Sequence, residues 1–155
     1  MGVRVVVATR REFQTRAMIG RPPPRVWAFM TDPANAPTWI QGVQKSSLTT
    51  PGPMAVGSRI RETRKVLGTS ETYDVEVRAF EPPRRLVVAA IEGKTRYVYA
   101  FDLVDSGGAT DISMRATIEG AGFGAKLKGG LVAKTWEKYE GDRLQRLKAA
   151  VEARP

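Results

Sequence analysis

The 155-residue chain carries 25 Lys and Arg against 16 Asp and Glu, a formal net charge of +9, and 42% of its residues are hydrophobic. It contains no cysteine and no histidine, which excludes Ser-His-Asp and Cys-His nucleophilic machinery, disulfides, haem ligation through either residue and the usual zinc sites. Acid–base chemistry is left to carboxylates, Tyr, Lys and Arg-tuned groups, and the length predicts one domain over residues 1–155.

In chain order, Val5-Val6-Val7-Ala8 is far too short for a signal-peptide core or a membrane span. Arg10-Arg11 lacks the apolar run of a twin-arginine signal, because Gln14-Thr15-Arg16, Arg21 and Arg25 follow. Val6 stands where a myristoylation site needs Ser or Thr. A soluble cytoplasmic protein is the expectation. Residues 4–19, rich in Val, Thr and Phe, read as a strand that 20–24 breaks. Residues 24–30 predict a short helix with Pro24 in its first turn, where the missing N–H costs nothing. A second helical turn is expected at 35–39, before Gly42.

From Gly42 the hydrophobic period drops to two. Strands are expected at 43–50, 58–67, 71–80, 86–92, 95–104 and 111–119. Their breaks are Pro51-Gly52-Pro53, Gly68, Pro82-Pro83, Gly93-Lys94 and Ser106-Gly107-Gly108. Short strands joined by such turns argue for an antiparallel meander. The tail, 124–152, reads as one long helix, about 40 Å end to end at ~1.5 Å per residue. Its apolar stripe holds Val132, Trp136, Tyr139, Leu144, Leu147 and Val151, while Leu127 and Leu131 point elsewhere, so a bend is expected at Gly129-Gly130. One sheet wrapped around one long helix is an α+β two-layer arrangement.

Pro24-Arg25-Val26-Trp27-Ala28-Phe29, followed by Asp32-Pro33 and Pro37-Thr38-Trp39, resembles the opening signature of the START/polyketide-cyclase (SRPBCC) superfamily. Val56-Gly57-Ser58, the run Phe80-Glu81-Pro82-Pro83-Arg84-Arg85-Leu86 and the closing amphipathic helix stand where that family has counterparts. The resemblance covers residues 12–152, and its motifs are structural more than catalytic. It implies the helix-grip fold, also seen in the major birch pollen allergen. That fold is a seven-stranded curved antiparallel sheet around a long C-terminal helix, with two short helices after the first strand and an elongated apolar cavity. Family members bind lipids, sterols, polyketides or plant metabolites; some catalyse cyclisation or dehydration, many carry or sense, and no shared catalytic set transfers.

Alternation assigns the strand faces independently of that resemblance. Ile60, Glu62, Arg64 and Val66 face inward, with Arg59, Arg61 and Lys65 toward water. Tyr73, Val75, Val77 and Ala79 form the next inner row, then Tyr97, Tyr99 and Phe101, then Ile112, Met114, Ala116 and Ile118. Two inward charges, Glu62 and Arg64, are costly against hydrocarbon unless they pair or meet a polar ligand. Either the sheet curls so that they reach solvent, or they pair with each other, or they orient a polar group of a ligand. Tyr73, Tyr97 and Tyr99 each want a hydrogen-bond partner, which a hydroxyl at the rim, a water or a ligand satisfies. Trp27, Trp39 and Trp136 divide in the same way between core and ligand contact, and Trp39 falls in the gate region of the resembled fold.

On the last helix, Arg143 lies in the apolar stripe between Trp136 and Tyr139, with Glu140 near the other edge. A snorkelling Arg143 paired with Glu140 at i,i+3 is one reading, and a cavity arginine for a carboxylate or enolate is the other. The candidate cavity residues are therefore Trp27, Trp39, Glu62, Arg64, Tyr73, Tyr97, Tyr99, Met114, Trp136, Tyr139 and Arg143.

Gly120-Ala121-Gly122-Phe123-Gly124-Ala125 matches a dinucleotide fingerprint, but no second parallel strand follows it. Asp102, Asp105 and Asp111 flank a turn without metal-ligand spacing. No metal and no cofactor are expected. The basic residues spread over outer strand faces, Arg84-Arg85 and Lys126, Lys128, Lys134 and Lys138, with no aromatic-interleaved run. No DNA binding is expected, and RNA or an acidic partner is an alternative reading of the charge. A monomer or a dimer joined at a strand edge is compatible with the pattern. The leading function is binding of a small hydrophobic or amphipathic molecule in an internal cavity, as carrier, sensor or scaffold. A cyclase or dehydratase would use Arg64 or Arg143 for an enolate and Glu62 or a tyrosine for the proton. A basic interaction protein is the third reading.

Overall fold

From Gly42 onward the chain reverses wherever Gly or Pro interrupts the alternating pattern, and each reversal returns it beside the strand it has just left. The computed structural model describes residues 9–120 and 136–155. β1 (Thr9–Ile19) leads into α1 (Pro23–Met30), a 3₁₀ turn (Pro33–Asn35) and α2 (Ala36–Trp39). Then come β2 (Val43–Leu48), β3 (Arg59–Val66), β4 (Thr69–Glu81), β5 (Arg85–Glu92), β6 (Thr95–Ser106) and β7 (Ala109–Gly120). Residues 136–140 are helical, and α3 spans Arg143–Glu152. The sheet order is β1-β7-β6-β5-β4-β3-β2, and every neighbouring pair is antiparallel. β1 and β2 are therefore the two edges, and the short helices carry the chain from one edge to the other.

Local chemistry sets the connections. Pro23 and Pro24 occupy the first turn of α1, where no N–H is needed. Asp32 accepts a hydrogen bond from the Ala34 N–H at 3.0 Å and so starts the 3₁₀ turn. Gly42 has φ +84°, and a Cβ there would stand 2.4 Å from the Lys65 carbonyl oxygen. Only glycine lets α2 hand the chain to β2 this close to β3.

Two expectations are corrected. The register shifts between Val77 and Ala79, so Ala79 sits opposite Val87 and Phe80 opposite Leu86. This bulge turns Ala79 away from the inner row and brings Phe80 in, against Trp27 at 5.3 Å. The long final helix is also interrupted, because residues 141–142 form a turn between the helical segment 136–140 and α3. Glycine at 141 weakens helix continuity. Residues 4–8, the foreseen bend at Gly129-Gly130, the stripe residues Val132, Leu127 and Leu131, and the glycine motif beyond Gly120 lie outside the described residues.

The inner face divides in two. α3 packs on β1 and β7 and against α2, and its Leu144, Leu147 and Val151 belong to one core with Ile19, Ile112, Met114, Ala116 and Ile118. At roughly 1.5–3 kcal/mol per large apolar side chain, that half is the stabilising core. The inner faces of β3 to β6 extend beyond this contact, and the space over them forms the site.

Candidate functional site

A cavity of about 520 Å³ lies over the inner faces of β3, β4, β5 and β6. Ile60, Val75, Leu86, Val88, Ala90 and Phe101 give it apolar walls, and Met30, Ala36, Trp39 and Ile40 close one side from α1, α2 and the chain after them. No described residue of β1 or β7 lines it. The volume suits one small molecule.

Its polar end is built from β3, from the helical segment 136–140 and from Arg143 at the start of α3. Glu62 pairs in register with Tyr73 and with Ser46, and both reach its carboxylate: the Tyr73 hydroxyl at 3.2 Å and the Ser46 hydroxyl at 3.4 Å. Arg64, two residues on, donates to the Gln41 carbonyl at 2.8 Å. It also reaches Glu140 at 2.5 Å. Arg143 approaches the second Glu140 oxygen at 3.1 Å, and its guanidinium stacks over Tyr99 at 4.4 Å and Trp39 at 5.6 Å. The Tyr99 hydroxyl accepts from Trp136 Nε1 at 2.8 Å.

These charges are enclosed. Glu140 is 1% exposed, Arg143 5% and Glu62 8%, so the strand carrying Glu62 and Arg64 does not curl out to water. Nor do those two pair with each other: Arg64 takes Glu140, across the cavity. Arg143 makes the i,i+3 pair but does not snorkel. Among the described residues, Arg64 Nη2, both Glu140 oxygens, Arg143 Nε and Trp39 Nε1 have no aligned hydrogen bond. The two arginine–carboxylate contacts therefore act through distance and charge rather than through directed bonds.

The ionisations follow from this enclosure. Burial pushes the Glu62 carboxyl above its ordinary range, outweighing the guanidiniums of Arg143 and Arg64 and the Tyr73 hydroxyl. Burial and the neighbouring Glu62 carboxylate drive the Tyr73 phenol upward. Burial and Glu140 do the same to Tyr99. Burial pulls the Arg64 guanidinium down, but Glu140, with Tyr73 and Tyr99, more than reverses it and the net shift is upward. Both phenols are thus neutral at physiological pH, and Arg64 is charged.

The sequence matches the model of the family described as polyketide cyclase/dehydrase and lipid transport over residues 10–152. The chain belongs to that family. No curated protein matches it. Among solved structures, it is similar to TTHA0849 from Thermus thermophilus, with TM-score 0.74 and 21% identity over 92% of this chain and 98% of that one. It is similar to the Zhui aromatase/cyclase from Streptomyces sp. R1128, with TM-score 0.73 and 14% identity over 92% of each chain. It also resembles the di-domain ARO/CYC BexL of the BE-7585A biosynthetic pathway, with TM-score 0.75 and 21% identity over 94% of this chain and 51% of that one. At these identities the structures show the fold alone, which is the helix-grip fold.

For a polyketide cyclase/dehydrase family member, the strand pattern places most of the expected side chains together. Trp39, Glu62, Arg64, Tyr73, Tyr97, Tyr99, Trp136, Tyr139 and Arg143 all line the cavity. Trp27 and Met114 do not: Trp27 packs on Phe80, and Met114 is fully buried on β7, which does not line the cavity. Alternation tells which way a side chain points, not what covers it. Ser46 and the role of Glu140 toward Arg64 were not foreseen. Register would have found Ser46, but the long connection after β2 leaves register undefined in sequence. No signal links Glu140 to a residue so distant in the chain.

No group of three or more Asp or Glu among the described residues is placed to hold a metal ion. No helix among them is long and apolar enough to cross a membrane. On the outer face, many arginines meet carboxylates on neighbouring strands, as in Arg61–Asp74, Arg85–Asp102 and Arg16–Asp111. In these pairs, among the described residues, basic and acidic side chains alternate across neighbouring strands.

Proposed function

We propose that the protein binds one small amphipathic molecule in this cavity, as a carrier or sensor. The observation that carries the reading is the cavity of about 520 Å³ whose walls are largely apolar and which holds the buried cluster of Glu62, Glu140 and Arg143. A hydrophobic body would lie along Ile60, Val75, Leu86, Val88 and Phe101, and a polar end would sit against the cluster of Glu62, Arg64, Glu140 and Arg143. Trp39, Tyr97, Tyr99, Trp136 and Tyr139 would contact it from the sides. Native mass spectrometry of the purified protein, followed by denaturing extraction, tests this. A stoichiometric small molecule released on denaturation is expected. An empty cavity together with no thermal shift from any member of a lipid and polyketide panel would overturn it.

A second reading rests on Glu62. A carboxyl kept above its ordinary range by burial, bonded to a neutral tyrosine and facing two guanidiniums, has the parts of a proton donor beside an oxyanion site. A cyclase or dehydratase would use it so. Glu62→Gln that keeps ligand affinity and abolishes turnover supports that reading. Unchanged turnover removes it.

A further inference from the structure

We propose that Glu140 is the specificity-determining residue of the cavity. It is a built-in counterion that saturates Arg64 and Arg143, so the site selects neutral hydroxylated or phenolic ligands over carboxylates. This rests on the cavity being a ligand site. Two guanidiniums at one end of the cavity, Arg143 buried and Arg64 largely so, would ordinarily mark a receptor for an anion. Here the anion is already present. Glu140 stands 2.5 Å from Arg64 and 3.1 Å from Arg143 and is 1% exposed, so it neither swings to water nor leaves the arginines without a substitute. An incoming carboxylate would have to displace it or lie beside it, and like charges at such separation in a low-dielectric site repel strongly.

The remaining hydrogen-bonding capacity fits a group that donates. The Ser46 and Tyr73 hydroxyls line the cavity and direct their hydrogens to Glu62, so toward a ligand they act as acceptors. A ligand hydroxyl can donate to them; a carboxylate has no hydrogen to offer. Leaving buried polar groups unpaired is what makes such a site discriminate against the wrong end group. Glu140 acts through the arginines it neutralises as much as through direct contact.

The test compares naphthol with naphthoate, which share a ring skeleton and differ in the charge of the end group, by isothermal titration at neutral pH. The intact protein is expected to bind naphthol about tenfold more tightly or better, a difference of ~1.4 kcal/mol. Glu140→Gln keeps the shape and removes the charge, and is expected to narrow that ratio about tenfold or reverse it by strengthening naphthoate binding. Equal or tighter naphthoate binding by the unaltered protein overturns the inference without recourse to any variant, so a Glu140→Gln chain that fails to fold does not shelter it. A preference for naphthol that Glu140→Gln leaves unchanged also overturns it. Binding of neither probe also overturns this inference, while the cavity reading stands or falls on the native mass spectrometry and the ligand panel.

Discussion

Glu140 and its two arginines are stable only as a set. Each ion has lost most of its hydration, so removing one partner strands the others in a low-dielectric site. Arg64→Met is therefore expected to lower unfolding free energy by about 3–5 kcal/mol. Glu140→Leu strands both arginines and is expected to cost at least as much, and the double substitution Arg64→Met with Glu140→Leu to cost less than the sum of the two. A double-mutant cycle in denaturant measures that coupling. Glu62 gives a second, opposite effect. A carboxyl held above its ordinary range binds its proton more tightly folded than unfolded, so stability falls as pH rises across the interval between the two values. Glu62→Gln removes that loss. Thermal unfolding is expected to show a Tm higher by roughly 2–4 °C at neutral pH, equivalent to about 1 kcal/mol, with the gain vanishing as pH falls below the ordinary carboxyl range.

Among the elements, α3 is fastened at its far end to the chain leaving β1. The Gly20 N–H donates to the Glu152 carboxylate at 2.9 Å, Lys148 reaches the same oxygen at 2.6 Å, and Lys148 also donates to the Met18 carbonyl at 2.7 Å. The Gly20 N–H, then Lys148, hold Glu152 below its ordinary range. A depressed carboxyl contributes stability that is present above its unfolded value and lost as pH falls through the folded one. The group is partly solvated, so the effect is modest and salt-sensitive. Glu152→Gln is expected to lower Tm by about 1–2 °C at neutral pH, and the difference from the unaltered protein closes in acid. The elements themselves were largely legible. Alternation and turn residues give all seven strands within a few residues, and they give the inward row of Ile60, Glu62 and Arg64. Alternation carried past Val77 fails at the bulge, because one extra residue reverses every later side chain. The turn at 141–142 was missed because the apolar stripe continues on both sides of it. The Arg64–Glu140 pair was beyond reach because period and spacing are local, and that contact joins β3 to the far end of the chain.

At the scale of the whole molecule, one face of one sheet serves two purposes. Under α3 it is closely packed, and over β3 to β6 it encloses about 520 Å³. Space of that kind lowers stability relative to a filled interior. Ala90, on the wall of the cavity and itself buried, can be enlarged into it. Ala90→Leu is expected to raise unfolding free energy by about 1–2 kcal/mol and to weaken binding of an apolar probe about tenfold, measured by denaturant unfolding and calorimetric titration on the same sample.

The sheet order also bears on how the chain is made. β1 pairs along its whole length with β7, Phe13 opposite Ala116 and Ile19 opposite Thr110, a separation of roughly a hundred residues. Synthesis delivers β1 first and its only neighbour last of the strands. During translation the segment Thr9–Ile19 is therefore expected to stay unpaired until β7 emerges, while the hairpins from β2 to β6 can already close.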